Sequence, residues 1–183
     1  MARTISQRLV ESARTSFVGR KRELSFLQQT IKANELPFVI AYVHGIGGIG
    51  KTRLLQAVLN SLGHEIISIK LDCRDIEPTQ KGFLVTLGKA LNIKKSNIEV
   101  STVISKFARL RRRTVLALDT YETFFLMDTW LRQEFVPKLP DSVFIIINSR
   151  EKPNGAWLTT PGWESLFHEI ELEELMKMNP TRC

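Results

Sequence analysis

This chain of 183 residues has little cysteine, no long apolar run and fewer acidic than basic side chains. Its two cysteines, Cys73 and Cys183, match no metal-ligand spacing and do not make a disulfide framework. A reducing, cytoplasmic setting is therefore expected. No apolar stretch approaches the roughly 20 residues that a membrane-spanning helix needs, so no membrane partner is expected. Internal repeats and low-complexity tracts are missing too, which excludes solenoid and fibrous architectures. The remaining composition, 43% apolar and 25% charged, is that of an ordinary globular chain, and the length suits one α/β domain better than two.

The shortage of acid leaves a formal charge of +7, concentrated at Arg3, Arg8, Arg14, Arg20-Lys21-Arg22 and Arg111-Arg112-Arg113. Such a balance fits nucleic acid or acidic surfaces as partners. The triple arginine, however, sits between an amphipathic helix and a strand, where a solvated helix end complementing the helix dipole is the favoured reading. Residues 1–16 are rich in Arg and Ser, with Glu11 the single acid, as in an organellar transit peptide. Ile5, Leu9, Ala13 and Phe17 nevertheless recur at helical spacing, and a lead-in helix is expected there.

What is present is most concentrated at Gly45-Ile46-Gly47-Gly48-Ile49-Gly50-Lys51-Thr52, which follows the apolar run Phe38–Val43. The spacing G-x-x-x-x-G-K-T is matched in full. A strand, a glycine-rich turn and a Lys-Thr pair opening a helix make a phosphate cradle, because glycine lets several N–H groups approach one anion. Lys51 is placed to neutralise β- and γ-phosphates, the Thr52 hydroxyl to ligate Mg²⁺, and the helix N-terminus to add its dipole. The amphipathic run Leu54-Leu55-Ala57-Val58-Leu59 supplies the helical context.

Strands are expected at Glu65–Leu71, Thr114–Asp119, Val143–Asn148 and, toward an edge, Phe167–Leu172. Helical faces are expected around Phe83, Leu84, Leu87 and Leu91, then around Val103, Ile104, Phe107 and Leu110. A further helix is expected through Phe124, Met127, Leu131 and Phe135, closed by Pro137 and Pro140. Residues 153–161 read as a loop. Strands alternating with helices argue for a doubly wound, mostly parallel sheet. Glu173–Met178 begins like another helix, which Asn179-Pro180 then breaks.

Three further residues belong at the same sheet edge. Asp119 ends a buried apolar strand, where a carboxylate needs a cation, and reads as a Mg²⁺ holder or as a cap for the following loop. Glu122 is a general base for an attacking water or a solvated loop residue, since Thr120 occupies the position directly after Asp119. Arg150 reads as a γ-phosphate contact or as a plain surface arginine.

With these parts assembled, the chain resembles the STAND class of ATPases, relatives of AAA+ proteins that include NB-ARC and NACHT switches. Phe17-Val18-Gly19-Arg20-Lys21-Arg22-Glu23-Leu24 resembles the family's "FVGREREL" element, and Gly45–Thr52 its GxGGxGKT loop. Val115–Asp119 with Thr120-Tyr121-Glu122 resembles its Walker B in the "LDTYE" form, and Asn148-Ser149-Arg150 its sensor 1 "TSR". The resemblance implies a three-layer P-loop domain over residues 17–175 with a five-stranded sheet in the order 5-1-4-3-2. It implies ATP/ADP and Mg²⁺ as ligands, with Val18, Gly19 and Arg20 at the adenine. Gly45, Gly47, Gly48, Ile49, Gly50, Lys51, Thr52 and Arg53 would serve the phosphates, Thr52 and Asp119 the metal, and Arg150 the γ-phosphate. Family members continue into a helical lid and a winged helix. Neither is present here, so residues 176–183 read as a tail and slow or absent hydrolysis is expected.

The leading expectation is the ATP/ADP-binding module of a signalling switch, an ATPase of low turnover with protein partners or self-association through this domain. A different class is a DNA-associated AAA+ ATPase of the origin-recognition or loader type, which also carries an N-terminal Gly-Arg element; nucleic acid is the less favoured partner. A third reading is a nucleotide-binding scaffold without turnover. No N/T-K-x-D sequence for reading guanine occurs, and no acceptor-binding constellation of a small-molecule kinase.

Overall fold

The computed structural model of this chain describes residues 19–94 and 97–174. The expected lead-in helix over 1–16, Val18 and the tail over 176–183 lie outside the described residues. Helix α1 covers Lys21–Lys32, strand β1 Ile40–His44, α2 Lys51–Ser61 and β2 Ile67–Asp72. Next come α3 at Gln80–Ala90, α4 at Val100–Leu110, β3 at Thr114–Asp119, β4 at Val143–Ser149 and β5 at Phe167–Glu171. All pairings are parallel and the order is β2-β3-β4-β1-β5, which is the expected 5-1-4-3-2 read from the other edge. The glycine-rich loop thus leaves a central strand, β1, with β5 on one side and β4 on the other.

The central strands β1, β3 and β4 are buried at every position, as parallel strands covered on both faces must be. Alternation then divides their side chains between two layers. Ala41, Val43, Val115, Ala117, Phe144 and Ile146 pack against Leu27 and Ile31 of α1 and Leu54, Leu55 and Val58 of α2. Ile40, Tyr42, Leu116, Leu118, Ile145 and Ile147 pack against Phe83 and Leu87 of α3, Val103 and Phe107 of α4, and the segment after β3. Among the described residues no helix is long and apolar enough to cross a membrane.

The segment after β3 departs from the regular helix that its spacing predicts. Tyr121–Met127 is a 3₁₀ helix, Asp128–Trp130 a single α turn, Leu131–Phe135 a π turn and Val136–Lys138 again 3₁₀. A buried polar knot holds this mixed winding: Asp128 Oδ1 accepts from the Tyr121 hydroxyl at 2.9 Å and from Trp157 Nε1 at 2.7 Å. The knot also draws Ala156–Thr159, expected to be a loop, into a short helix with Trp157 fully buried. Phe83 meets Phe135 edge-on at 5.2 Å and Phe124 at 6.1 Å, so the aromatic face survives the irregular backbone.

Of the arginines after α4, Arg111 and Arg112 are exposed, as a solvated helix end requires, and Arg113 is half-buried; two of them also hold backbone carbonyls. Arg112 Nε donates to Glu65 O at 3.0 Å, and its Nη2 donates to His64 O. Arg113 Nη2 donates to Ala33 O at 2.8 Å and to Asn34 O at 3.1 Å. These two side chains staple the turns before β1 and β2 to the start of β3.

Candidate functional site

A cavity of about 550 Å³ opens at the C-terminal edge of the sheet, where an α/β crevice is expected to bind its ligand. Of the expected residues, Arg20, Gly47, Gly48, Ile49, Gly50, Lys51, Thr52, Arg53, Asp119, Glu122 and Arg150 line it. Five basic side chains, Arg20, Lys51, Arg53, Arg74 and Arg150, face two acidic ones, Asp119 and Glu122. The cavity is therefore built for an anion.

The loop earns its shape locally. Gly45 has φ of +145° and a Cβ there would lie 2.6 Å from the Leu172 carbonyl oxygen, so the turn out of β1 admits no side chain. Gly45 is not on the cavity wall. Gly48, at φ of +80°, faces open space and serves the backbone alone. Helix α2 starts after Gly50 with no side-chain cap, leaving its first N–H groups directed at the cavity.

Lys51 Nζ donates to Gly45 O at 2.6 Å and Ile46 O at 2.9 Å, folded back over its own loop. Burial holds its ammonium below the usual lysine range, with Arg150 adding to the effect and Glu122 opposing it. Thr52 Oγ1 donates to Asp119 Oδ1 at 3.1 Å, and Asn148 Nδ2 donates to the same oxygen at 3.3 Å. Asp119 is buried, and Lys70 Nζ of β2 lies 3.0 Å from its other oxygen.

Glu122 and Arg150 engage each other. Arg150 N donates to Glu122 Oε2 at 3.1 Å, and Arg150 Nε stands 3.3 Å from Oε1. Arg20, its side chain buried, donates to Ile49 O at 3.4 Å and to Glu173 O, and pairs with Glu23 at 3.2 Å. Gly19, at φ of +111°, turns the chain into that arginine and is not on the cavity wall.

Three residues on the wall were not in the expected set: Arg74, Thr120 and Asn148. Asn148 was present only as the first letter of the Asn148-Ser149-Arg150 element. Arg74 follows the C-terminal end of β2, and its guanidinium holds Asp72 Oδ2 at 2.6 Å, which pulls the Asp72 carboxyl below its usual range. The topological rule for strand ends was the available signal for it.

A hydroxyl and a carboxylate oxygen, both hard donors and already adjacent, fit a Mg²⁺ ion that keeps waters and takes phosphate oxygens. No group of three or more His, Cys, Asp and Glu that could hold a metal by itself occurs among the described residues.

No protein-family model matches this sequence, and comparison with curated proteins gives no match. Solved structures do share the fold. The Aeropyrum pernix ORC2 protein, solved as ADPNP-ADP complexes, is 14% identical with a TM-score of 0.61, over 85% of this chain and 48% of that one. The Aeropyrum pernix ORC1 protein in complex with DNA is 18% identical with a TM-score of 0.57, over 84% and 45%. Drosophila ORC bound to DNA is 17% identical with a TM-score of 0.61, over 91% and 46%. This chain thus spans about half the length of each of those proteins. With the sheet order and the loop after β1, these likenesses give the fold alone: a three-layer α/β domain of the P-loop NTPase type.

Proposed function

We propose that this chain is the ATP- and ADP-binding module of an AAA+-type ATPase that works with DNA. The observation carrying the nucleotide reading is that Lys51, Thr52, Asp119 and Arg150, far apart in sequence, line one cavity with the uncapped start of α2. Phosphates entering the loop would take N–H bonds from it, and Lys51 would exchange its two carbonyl acceptors for phosphate oxygens. Arg20, beside the loop, fits the base-proximal wall. Thr52 and Asp119 would hold Mg²⁺, which supplies neutralisation of the β- and γ-phosphate charge when bound.

Arg150 is the candidate reporter of the γ-phosphate. Turning toward it would cost the ion pair with Glu122, and would free that carboxylate to accept a proton from a water. Until then Glu122 is held by two contacts to Arg150. Slow hydrolysis follows from this arrangement.

The DNA part of the reading rests on the structural neighbours solved with DNA and on the charge of +7. It reverses the order of the sequence-based expectations, which favoured a signalling switch. That second reading keeps the support of Asp119-Thr120-Tyr121-Glu122 and Asn148-Ser149-Arg150, which resemble STAND elements.

Equilibrium binding of fluorescent ATP and ADP analogues tests the common part. Wild type is expected to bind both, and Lys51→Ala to lose about tenfold or more in affinity for each. Equal binding by that variant would refute the nucleotide site. Duplex DNA titrated at low and moderate salt separates the two classes: the DNA reading expects binding that weakens steeply with salt. Indifference to DNA at low salt would leave the signalling reading standing.

A further inference from the structure

Asp119 divides its two oxygens between different neighbours. Oδ1 faces the cavity, where it accepts from Thr52 and Asn148 at 3.1 and 3.3 Å. Oδ2 faces the edge strand, 3.0 Å from the Lys70 ammonium. The parallel register sets Lys70 beside Ala117, so its side chain leaves the sheet on the same face as Asp119 two residues later. Ser68 and Lys70 are exposed on that face, and 31% of the Lys70 side chain remains accessible while its head reaches the carboxylate. The Asp119 side chain is 3% exposed, and the cation that such a carboxylate needs is here a lysine of the neighbouring strand.

We infer that Lys70 is a resident counter-cation of Asp119, which lowers the affinity of this site for Mg²⁺ and lets a nucleotide bind without metal. The inference about metal stands on Asp119 and Lys70 alone; its nucleotide half rests on the ATP/ADP reading above. A carboxylate buried at the floor of a cavity is costly unless a cation meets it. Lys70 supplies that cation before any metal arrives. A divalent ion that enters at Asp119 must then sit next to an ammonium, which repels it at short range. Because Lys70 is partly solvated, it can withdraw into water and yield its place, so metal entry is weakened and not blocked. Nucleotide phosphates meanwhile find Asp119 already neutralised and the cavity rich in Lys51, Arg74 and Arg150. Binding order follows: nucleotide first, metal second.

Two measurements on the full chain test this. The first is the thermal midpoint as a function of Mg²⁺ alone, with no nucleotide. Lys70→Met removes the ammonium and keeps the stem, so its half-saturating Mg²⁺ should fall about tenfold or more below that of wild type. Lys70→Arg should resemble wild type, and Lys70→Gln stands in for Lys70→Met if that variant does not fold. An unchanged or higher Mg²⁺ requirement in the neutral variants overturns the inference. The second is the affinity for a fluorescent ADP analogue in EDTA and in Mg²⁺. Wild type should bind within about threefold in the two, whereas Lys70→Met should lose about tenfold in EDTA and recover in Mg²⁺. Loss of wild-type binding in EDTA with binding retained in Mg²⁺ overturns the nucleotide half. Absence of binding in both conditions refutes the nucleotide reading itself, while the Mg²⁺ titration still decides the role of Lys70.

Discussion

Replacing Gly45 by alanine tests how tightly the phosphate loop is fitted to the sheet edge. The added Cβ would lie 2.6 Å from the Leu172 carbonyl oxygen, a backbone atom that no rotamer change can move aside. Leu172 is also tied to β1, its N–H donating to His44 O at 2.8 Å, so relief requires the ends of β1 and β5 to part. Gly48 is the control, with φ of +80° but nothing within 4 Å of its Cβ position. The positive φ alone costs an L residue about 1–2 kcal/mol. Displacing packed backbone adds about 1–3 kcal/mol. Gly48→Ala should therefore lose about 1–2 kcal/mol and Gly45→Ala about 2–5 kcal/mol. For a chain of this length each kcal/mol lowers the thermal midpoint by about 2–4 °C. Urea unfolding followed by tryptophan fluorescence measures both, with the slope checked for constancy. A Gly45→Ala variant no less stable than Gly48→Ala would refute the close approach.

The remaining predictions concern the knot, the tyrosines and the sensor arginine. Asp128→Ala should cost about 2–5 kcal/mol in urea unfolding, because it orphans the Tyr121 and Trp157 donors; Asp128→Asn keeps an acceptor oxygen and should cost at least about 1 kcal/mol less. Burial raises Tyr42 to about 12 and, together with the neighbouring Asp128 charge, lifts Tyr121 well above 10.0, and these are the two tyrosines of the chain. A folded pKa above the unfolded value means stability complete below about pH 10 and lost as pH rises toward the folded values. Absorbance of tyrosinate should accordingly stay low through pH 10 while the chain is folded, and a folded-state titration near pH 10 would contradict it. Arg150→Ala should reduce the preference for an ATP over an ADP analogue about tenfold while leaving the ADP analogue nearly unaffected.

Periodicity exposed the strands because β1, β3 and β4 are apolar at almost every position, and the loop because its spacing is dictated by an anion. It failed after β3 for a definite reason. Phe124, Met127, Leu131 and Phe135 fall at intervals of three or four residues, which regular α, 3₁₀ and π winding can all bring to one face. The choice among them is made by Asp128, whose partners are seven and 29 positions away. The bonds of Arg112 and Arg113 were equally hidden, since their acceptors are backbone carbonyls that leave no mark on composition. Lys70 falls in the sequence within an expected strand and carries no other signal; the parallel register with β3 is what brings it to Asp119.

The contacts of Arg20 make a mechanical linkage. One guanidinium grips the phosphate loop at Ile49 and the strand exit at Glu173, while Leu172 fills the space that a Gly45 side chain would need. Loop and exit are thus clamped at two points on either side of β1. The phosphate loop and the segment that leaves β5 thus share one side chain, and Arg20→Ala would release both together.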